Sequence, residues 1–347
     1  MKHSVRTIGI WALAAVLFCM SFGFVQRLVV PKYQSKSIEG SLTEEYYRET
    51  LGHDVLFVGD CEVFSNISPA ELYRACGIAS FIRGSAQQLV WQSYYLLEDA
   101  LKTEHPSVVV FNVLALKYGS PQSEAYNRMT LDGMRWGSAK IGAIAASMTE
   151  GEDPVSYALP LLRFHARWSE LEAEDFRCLF QKQSVSHNGY LLRADVRPVT
   201  RTPTPAPLTD PHLPETSMEW LSKMASLCKA NGIELVLLKS PSIEPYWYDE
   251  WDADVQAFAK EHGLWYVNTL TQNDAIGIDY TTDTCDMGQH LNVYGAEKLS
   301  RWFGEELKAR VQLPDRREDE AYQRVWQEKL ERYDTEKAAA IAAQEGL

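Results

Sequence analysis

Two stretches of this chain hold side chains whose types suit acyl chemistry. VLFVGDCEVF, residues 55–64, runs four apolar residues into Gly59-Asp60 and then places Cys61 where the chain should leave a strand. TTDTCDMGQHLNVYG, residues 281–295, carries Asp283, Asp286 and His290 just ahead of the final domain helix. Acyl transfer needs a nucleophile that attacks a carbonyl, an imidazole that accepts and returns the proton, and a carboxylate that fixes the imidazole tautomer. Gly84, in FIRGSAQQ, and Asn112, in VVVFNVLAL, close two further apolar runs. A backbone N–H beside a side-chain amide suits an oxyanion, at roughly 3–4 kcal/mol per donor. Each residue also has a plain structural reading. Cysteine is among the most buried residue types, a glycine can serve a turn, Asn112 can cap a strand, and His290 can be a satisfied surface group.

The elements that must position these residues follow from hydrophobic patterning. Short, nearly continuous apolar runs at 55–58, 79–82, 107–111, 233–238 and 264–268 predict strands buried on both faces. Between them, 69–77, 87–101, 215–230 and 249–262 show helical spacing, as does a final stretch from Tyr294. Alternating strands and helices predict a three-layer α/β/α sandwich with a mostly parallel sheet, whose ligands bind beyond the carboxyl ends of the strands. Cys61, Gly84 and Asn112 all fall at such ends. Residues 118–214 interrupt the rhythm with a helical insertion and then a proline-rich strap, six prolines between 198 and 214. Within it, RFHARW offers Arg163, His165, Arg167 and Trp168 as cations and a stacking plane for a polyanionic glycan. Ion pairs from Arg163 and Arg167 to the acidic surface are the competing expectation. Beyond Pro314, Tyr322, Trp326, Leu330 and Tyr333 line one face of a tail helix, which must dock on the domain, a partner or a membrane surface. The expected domains are therefore an anchor at 1–30, a polar stalk or entry helix at 31–52, a catalytic domain at 53–312 and a helical tail at 313–347.

The anchor is read from residues 8–25, an uncharged and mostly apolar run behind Lys2, His3 and Arg6. About 18 residues approach the length needed to span a bilayer, and no small-x-small cleavage site follows. The basic flank predicts a single-pass protein of the cell membrane with its domain on the extracytoplasmic side. A formal charge of −13 and no later basic run exclude nucleic acid as a partner. Of six cysteines, five would lie outside, so at least one stays unpaired unless it bridges another chain. A Cys61–Cys285 disulfide would silence the site. No CxxC or zinc-like spacing occurs, and neither a metal nor an organic cofactor is indicated.

These blocks carry a resemblance. GDC resembles the Gly-Asp-Ser first block of the SGNH (GDSL) hydrolase superfamily, with Cys61 in place of serine. Gly84 sits where the second-block glycine would be. Asn112 lies near the third-block asparagine, without its Gly-x-Asn-Asp surroundings. DMGQHLNVYGAEK resembles the fifth block, Asp-x-x-His, with one extra residue between Asp286 and His290. The similarity spans most of residues 50–312 outside the insertion. Within the superfamily the chain looks most like membrane-anchored extracytoplasmic members, such as those of teichoic-acid D-alanylation and alginate O-acetylation. That resemblance implies acyl transfer to or from a cell-envelope glycan or teichoic-acid-like polymer, beside a membrane-bound O-acyltransferase. Cys61 would be the nucleophile, His290 the base and Asp286 its orienting carboxylate, with Asp283 in reserve. The backbone of Cys61 and Gly84 and the Asn112 amide would form the oxyanion hole. A thioester passes its acyl group readily, so transfer is expected over hydrolysis. A non-catalytic binding module and a simple esterase are the competing readings.

Overall fold

The computed structural model describes residues 2–32, 40–181, 184–201 and 203–345. Residue 1 of the anchor, 33–39 of the expected stalk, 182, 183 and 202 of the insertion, and 346–347 of the tail lie outside the described residues. In chain order the first half holds α1 (Lys2–Val29), β1 (Val55–Gly59), α2 (Cys61–Asn66), α3 (Pro69–Cys76), β2 (Ser80–Gly84), α4 (Val90–Ala100) and β3 (Val108–Asn112). The insertion contributes α5 (Glu124–Leu131), α6 (Ser138–Ser147), α7 (Val155–Ala158), α8 (Leu161–Phe164) and α9 (Ala173–Phe180). After it come α10 (Glu215–Ala230), β4 (Glu234–Lys239), α11 (Asp249–His262), β5 (Trp265–Asn268), α12 (Asn273–Ile276), α13 (Val293–Arg310) and α14 (Glu320–Glu345).

The five strands form one parallel sheet in the order β2-β1-β3-β4-β5, the arrangement of flavodoxin-like doubly wound folds. Alternation along the strands divides the core. Leu56, Val58, Val109, Phe111, Leu235 and Leu237 pack with α4, α10 and α11. Val55, Phe57, Val108, Val110, Val236 and Leu238 pack with α2, α3, α13 and α14 on the other face. This is the expected three-layer sandwich. The strand expected at 79–82 is shifted: β2 starts at Ser80 and runs on through Arg83 to Gly84. Arg83 can sit inside a buried strand because its guanidinium lies 4.1 Å over the Tyr46 ring and 3.6 Å from Asp99.

Residues 40–52 are not an extended stalk. A short 3₁₀ turn, Glu44–Arg48, buries Tyr46 in the core, and Glu45 accepts hydrogen bonds from Val185 and Ser186. The tail helix docks on the domain itself. Tyr322, Trp326 and Tyr333 are buried, and the Trp326 ring stacks on Tyr73 at 4.5 Å. The insertion builds a small core of its own from Leu131, Met134, Ala139, Ala143, Ile144 and Tyr157 against Leu96 of α4. Its proline-rich part follows the 280–287 loop, where Arg197 and Val199 donate backbone hydrogen bonds to Thr284 and Tyr280. Within α1, residues 5–24 are exposed, and Val5–Val29 is long and apolar enough to cross a membrane or to serve as a signal sequence.

Candidate active site

β1 delivers Cys61 through a turn that only glycine allows. Gly59 has φ +147°, and a Cβ there would meet the Asn112 Cβ at 2.8 Å. Asp60 caps α2 by accepting a hydrogen bond from the Glu62 N–H, so Cys61 becomes the first residue of the helix, half-buried at the strand end. Gly84 closes β2 beside Gly59, and its missing side chain is explained by Val63, whose Cγ2 would lie 2.4 Å from a Cβ. Gly84 thus lets α2 approach the sheet.

The residue after Cys61 enters a charge pair with no counterpart among the expected site residues. Glu62 and Lys239 are both buried, and their Oε1–Nζ distance is 3.0 Å. Lys239 also donates to the Ser240 carbonyl at 2.6 Å and to Ser242 Oγ at 2.9 Å, so all three of its protons have acceptors. Ser242 donates to Glu62 Oε1, and the Asn112 amide donates to Oε2 at 2.7 Å. Asn112 Oδ1 accepts from the Leu114 N–H. The amide expected to face an oxyanion therefore faces a carboxylate, and the side chain is wholly buried.

Burial, with this negative charge added to it, sets the state of the thiol. A helix N-terminus and a nearby imidazole would by themselves lower a thiol pKa. Instead burial, then the Asp60 carboxylate, then Glu62 push the Cys61 thiol well above its ordinary value, with Lys117 pulling weakly the other way. Cys61 is a neutral thiol at neutral pH. Burial, reinforced by Glu62, likewise raises the Asp60 carboxyl to about 6.

The second cluster is more open. His290 Nδ1 lies 2.6 Å from Asp286 Oδ2, and the His290 backbone N–H donates to Asp286 Oδ1 at 2.7 Å. Although burial opposes it, the hydrogen bond and charge of His290 hold the Asp286 carboxyl below its usual range. A carboxylate against Nδ1 fixes the proton there and leaves Nε2 as the acceptor. The extra residue between Asp286 and His290 is taken up by two successive left-handed positions, Met287 at φ 63° and Gly288 at φ 97°. Asp283, the reserve carboxylate, is committed to Lys298 at 2.7 Å. The loop is pinned to α2 by the Leu291 N–H, which donates to Asn66 Oδ1 at 2.8 Å, while the Asn66 amide binds Ser240 Oγ. Cys61 and His290 thus border one helix. Among the described residues no hydrogen bond joins the Cys61 sulfur to His290.

The remaining expectations resolve simply. All six cysteines are free, so Cys61 and Cys285 form no disulfide. Arg163 pairs with Glu124, and Arg167 with Asp175 while donating to the Val29 carbonyl, which is the ion-pair alternative of the sequence reading. His165 and Trp168 are exposed beside them. These four residues border the end of α1. Glu62 and Lys239 were the residues sequence reasoning missed. Their only signal was a lysine ending the apolar run LVLL of β4.

No family model matches the chain, and no curated protein matches it. Among solved structures it is similar to an acylhydrolase from Bacteroides fragilis at 12% identity and TM-score 0.38, covering 77% of this chain and 94% of that one. A GDSL-like lipase from Bacteroides thetaiotaomicron is similar at 13% identity and TM-score 0.34, covering 74% and 88%. An acetylxylan esterase from Geobacillus stearothermophilus is similar at 12% identity and TM-score 0.36, covering 75% and 96%.

Proposed function

We propose that the carboxyl-end rim of the sheet is an acyl-transfer site of SGNH type, with Cys61 as nucleophile and His290, oriented by Asp286, as general base and then acid. The observation that carries this reading is the 2.6 Å Asp286–His290 pair on a loop bonded to the helix that Cys61 begins. A neutral thiol needs that base as a serine hydroxyl does: Nε2 takes the thiol proton as sulfur attacks, a thioester forms, and His290 returns the proton to the leaving group. In the second half His290 deprotonates the incoming hydroxyl as its oxygen attacks the thioester carbonyl, the C–S bond breaks, and His290 returns the proton to the Cys61 sulfur. With α1 as an uncleaved anchor, the acceptor is a cell-envelope glycan or teichoic-acid-like polymer outside the membrane, and a membrane-bound O-acyltransferase is the partner that supplies acyl groups.

The test is labelling of the full-length protein with an activated acyl ester, followed by mapping of the acylated residue. Acylation at Cys61 that is lost in Cys61→Ala and slowed in His290→Ala supports the proposal. Equal acylation of wild type and Cys61→Ala would sink it. One observation favours a second reading, a binding module that has kept the fold: Glu62 occupies the Asn112 amide that an oxyanion would use. That reading predicts no acylation at Cys61 in any variant.

A further inference from the structure

Outside α1, eleven large apolar side chains are exposed among the described residues, and six of them fall between 155 and 180: Val155, Leu159, Leu162, Trp168, Phe176 and Phe180. Phe180 is the most exposed, at 79%. A folded domain does not ordinarily leave such a set uncovered. Their position says what covers them, because the same segment grips the last turns of α1. The Leu161 N–H donates to Gln26 Oε1 at 2.6 Å, and Arg167 donates to the Val29 carbonyl at 2.7 Å. The Phe180 ring lies 6.5 Å from that of Phe24.

From these contacts we infer that α8, α9 and the turn between them form a collar that rests on the lipid surface around the exit of α1. The inference rests on reading α1 as a membrane span and adds to it where the domain stands. Along α1 the side chains stay exposed through Phe24 and become buried in the domain at Gln26, Leu28 and Val29. From Ile8 to Phe24 a helix rises about 25 Å, just short of the roughly 30 Å hydrocarbon core. Phe24 must therefore lie at the edge of the hydrocarbon, and Phe180, packed beside it, lies at the same depth. Phe176 is one helical turn back on the same side of α9. Trp168, with an apolar body and one N–H donor, suits the headgroup level. Because α1 is one unbroken helix through Val29, the collar cannot drift from the bilayer as a domain on a free stalk would.

The test places a photo-crosslinking benzoylphenylalanine at single positions of the full chain, reconstituted in phosphatidylcholine/phosphatidylglycerol vesicles, and identifies adducts by mass spectrometry. Phe22, inside the span, reports on anchoring; Phe180, Leu162 and Phe176 report on the collar; Glu261, exposed on α11, is the control. The expected result is lipid adducts at 22, 180, 162 and 176 and none at 261. Lipid adducts at 22 with none at the three collar positions would overturn the collar while leaving the anchor intact. Adducts from 180 to a second copy of the chain would assign the face to self-association and overturn it as well. Absence of lipid adducts at 22 would remove the span and the collar together.

Discussion

The rim of the sheet carries two acid–base pairs that differ in one respect, access to water. Glu62–Lys239 is sealed, with every proton and both carboxylate oxygens bonded to protein. Asp286–His290 is half-buried, and its Nε2 has no protein hydrogen bond among the described residues. A sealed pair cannot exchange protons with a substrate, so its influence is structural and electrostatic. An open pair can take and return one. Both act on the same cysteine, the first by raising its pKa and the second, in the proposed reaction, by removing its proton.

The largest expected effect comes from breaking the sealed pair. Lys239→Met leaves the Glu62 carboxylate buried without its cation, at a cost of about 3–5 kcal/mol. Replacing both, as Glu62→Gln with Lys239→Met, should recover much of that loss, because a neutral pair needs no charge compensation. His290→Asn, at the open pair, should change stability by roughly 1 kcal/mol or less. Urea unfolding of the four proteins measures all of this. Equal losses at Lys239 and His290 would erase the distinction between the pairs.

That distinction was only half legible in the sequence. Asp286 and His290 stand four residues apart in one loop, so they could be proposed as partners, with Asp283 in reserve; the left-handed Met287 and Gly288 that accommodate the extra residue are a structural fact. Glu62 and Lys239 are separated by 177 positions. Nothing local shows that the end of β4 and the start of α2 meet, and the ordinary expectation sends both charges to water. Strands were visible because both faces of a covered parallel sheet must be apolar. Arg83 hid the end of β2, since its partners Tyr46 and Asp99 come from other elements. The apolar stripe of α14 foretold docking, but Tyr73 as the surface beneath Trp326 is a tertiary fact.

A smaller effect tests what burial and the adjoining Glu62 charge do to Asp60. The Asp60 carboxyl titrates near 6 in the folded protein, against about 3.9 unfolded. Since the folded pKa is the higher, the native state holds the extra proton between those values. Stability should therefore fall as pH rises from about 4 to 6, by on the order of 3 kcal/mol, and then level. Asp60→Asn keeps a good helix cap and has no carboxyl to ionise, so its unfolding midpoint should lack that decline. Parallel pH curves for the two proteins would mean that burial and the Glu62 charge do not raise the Asp60 carboxyl.

The smallest effect is read at the cysteine itself. Lys117, half-buried at the end of the 3₁₀ turn Val113–Lys117 that follows β3, is the cation that pulls the Cys61 thiol down against burial, Asp60 and Glu62. Lys117→Met removes that pull without touching the sealed pair or His290. Iodoacetamide acts on the thiolate, so alkylation of Cys61 at about pH 8 should be slow in the wild type and a few-fold slower in the variant. Peptide mapping separates Cys61 from Cys19 and Cys178. Because Lys117 is partly solvated, added salt should narrow the gap between the two rates. If Cys61 instead reacts as fast as an ordinary exposed thiol in both proteins, burial and the carboxylates beside it do not hold the sulfur in its neutral form. The neutral-thiol step, in which His290 must first remove a proton, would then give way to attack by a preformed thiolate.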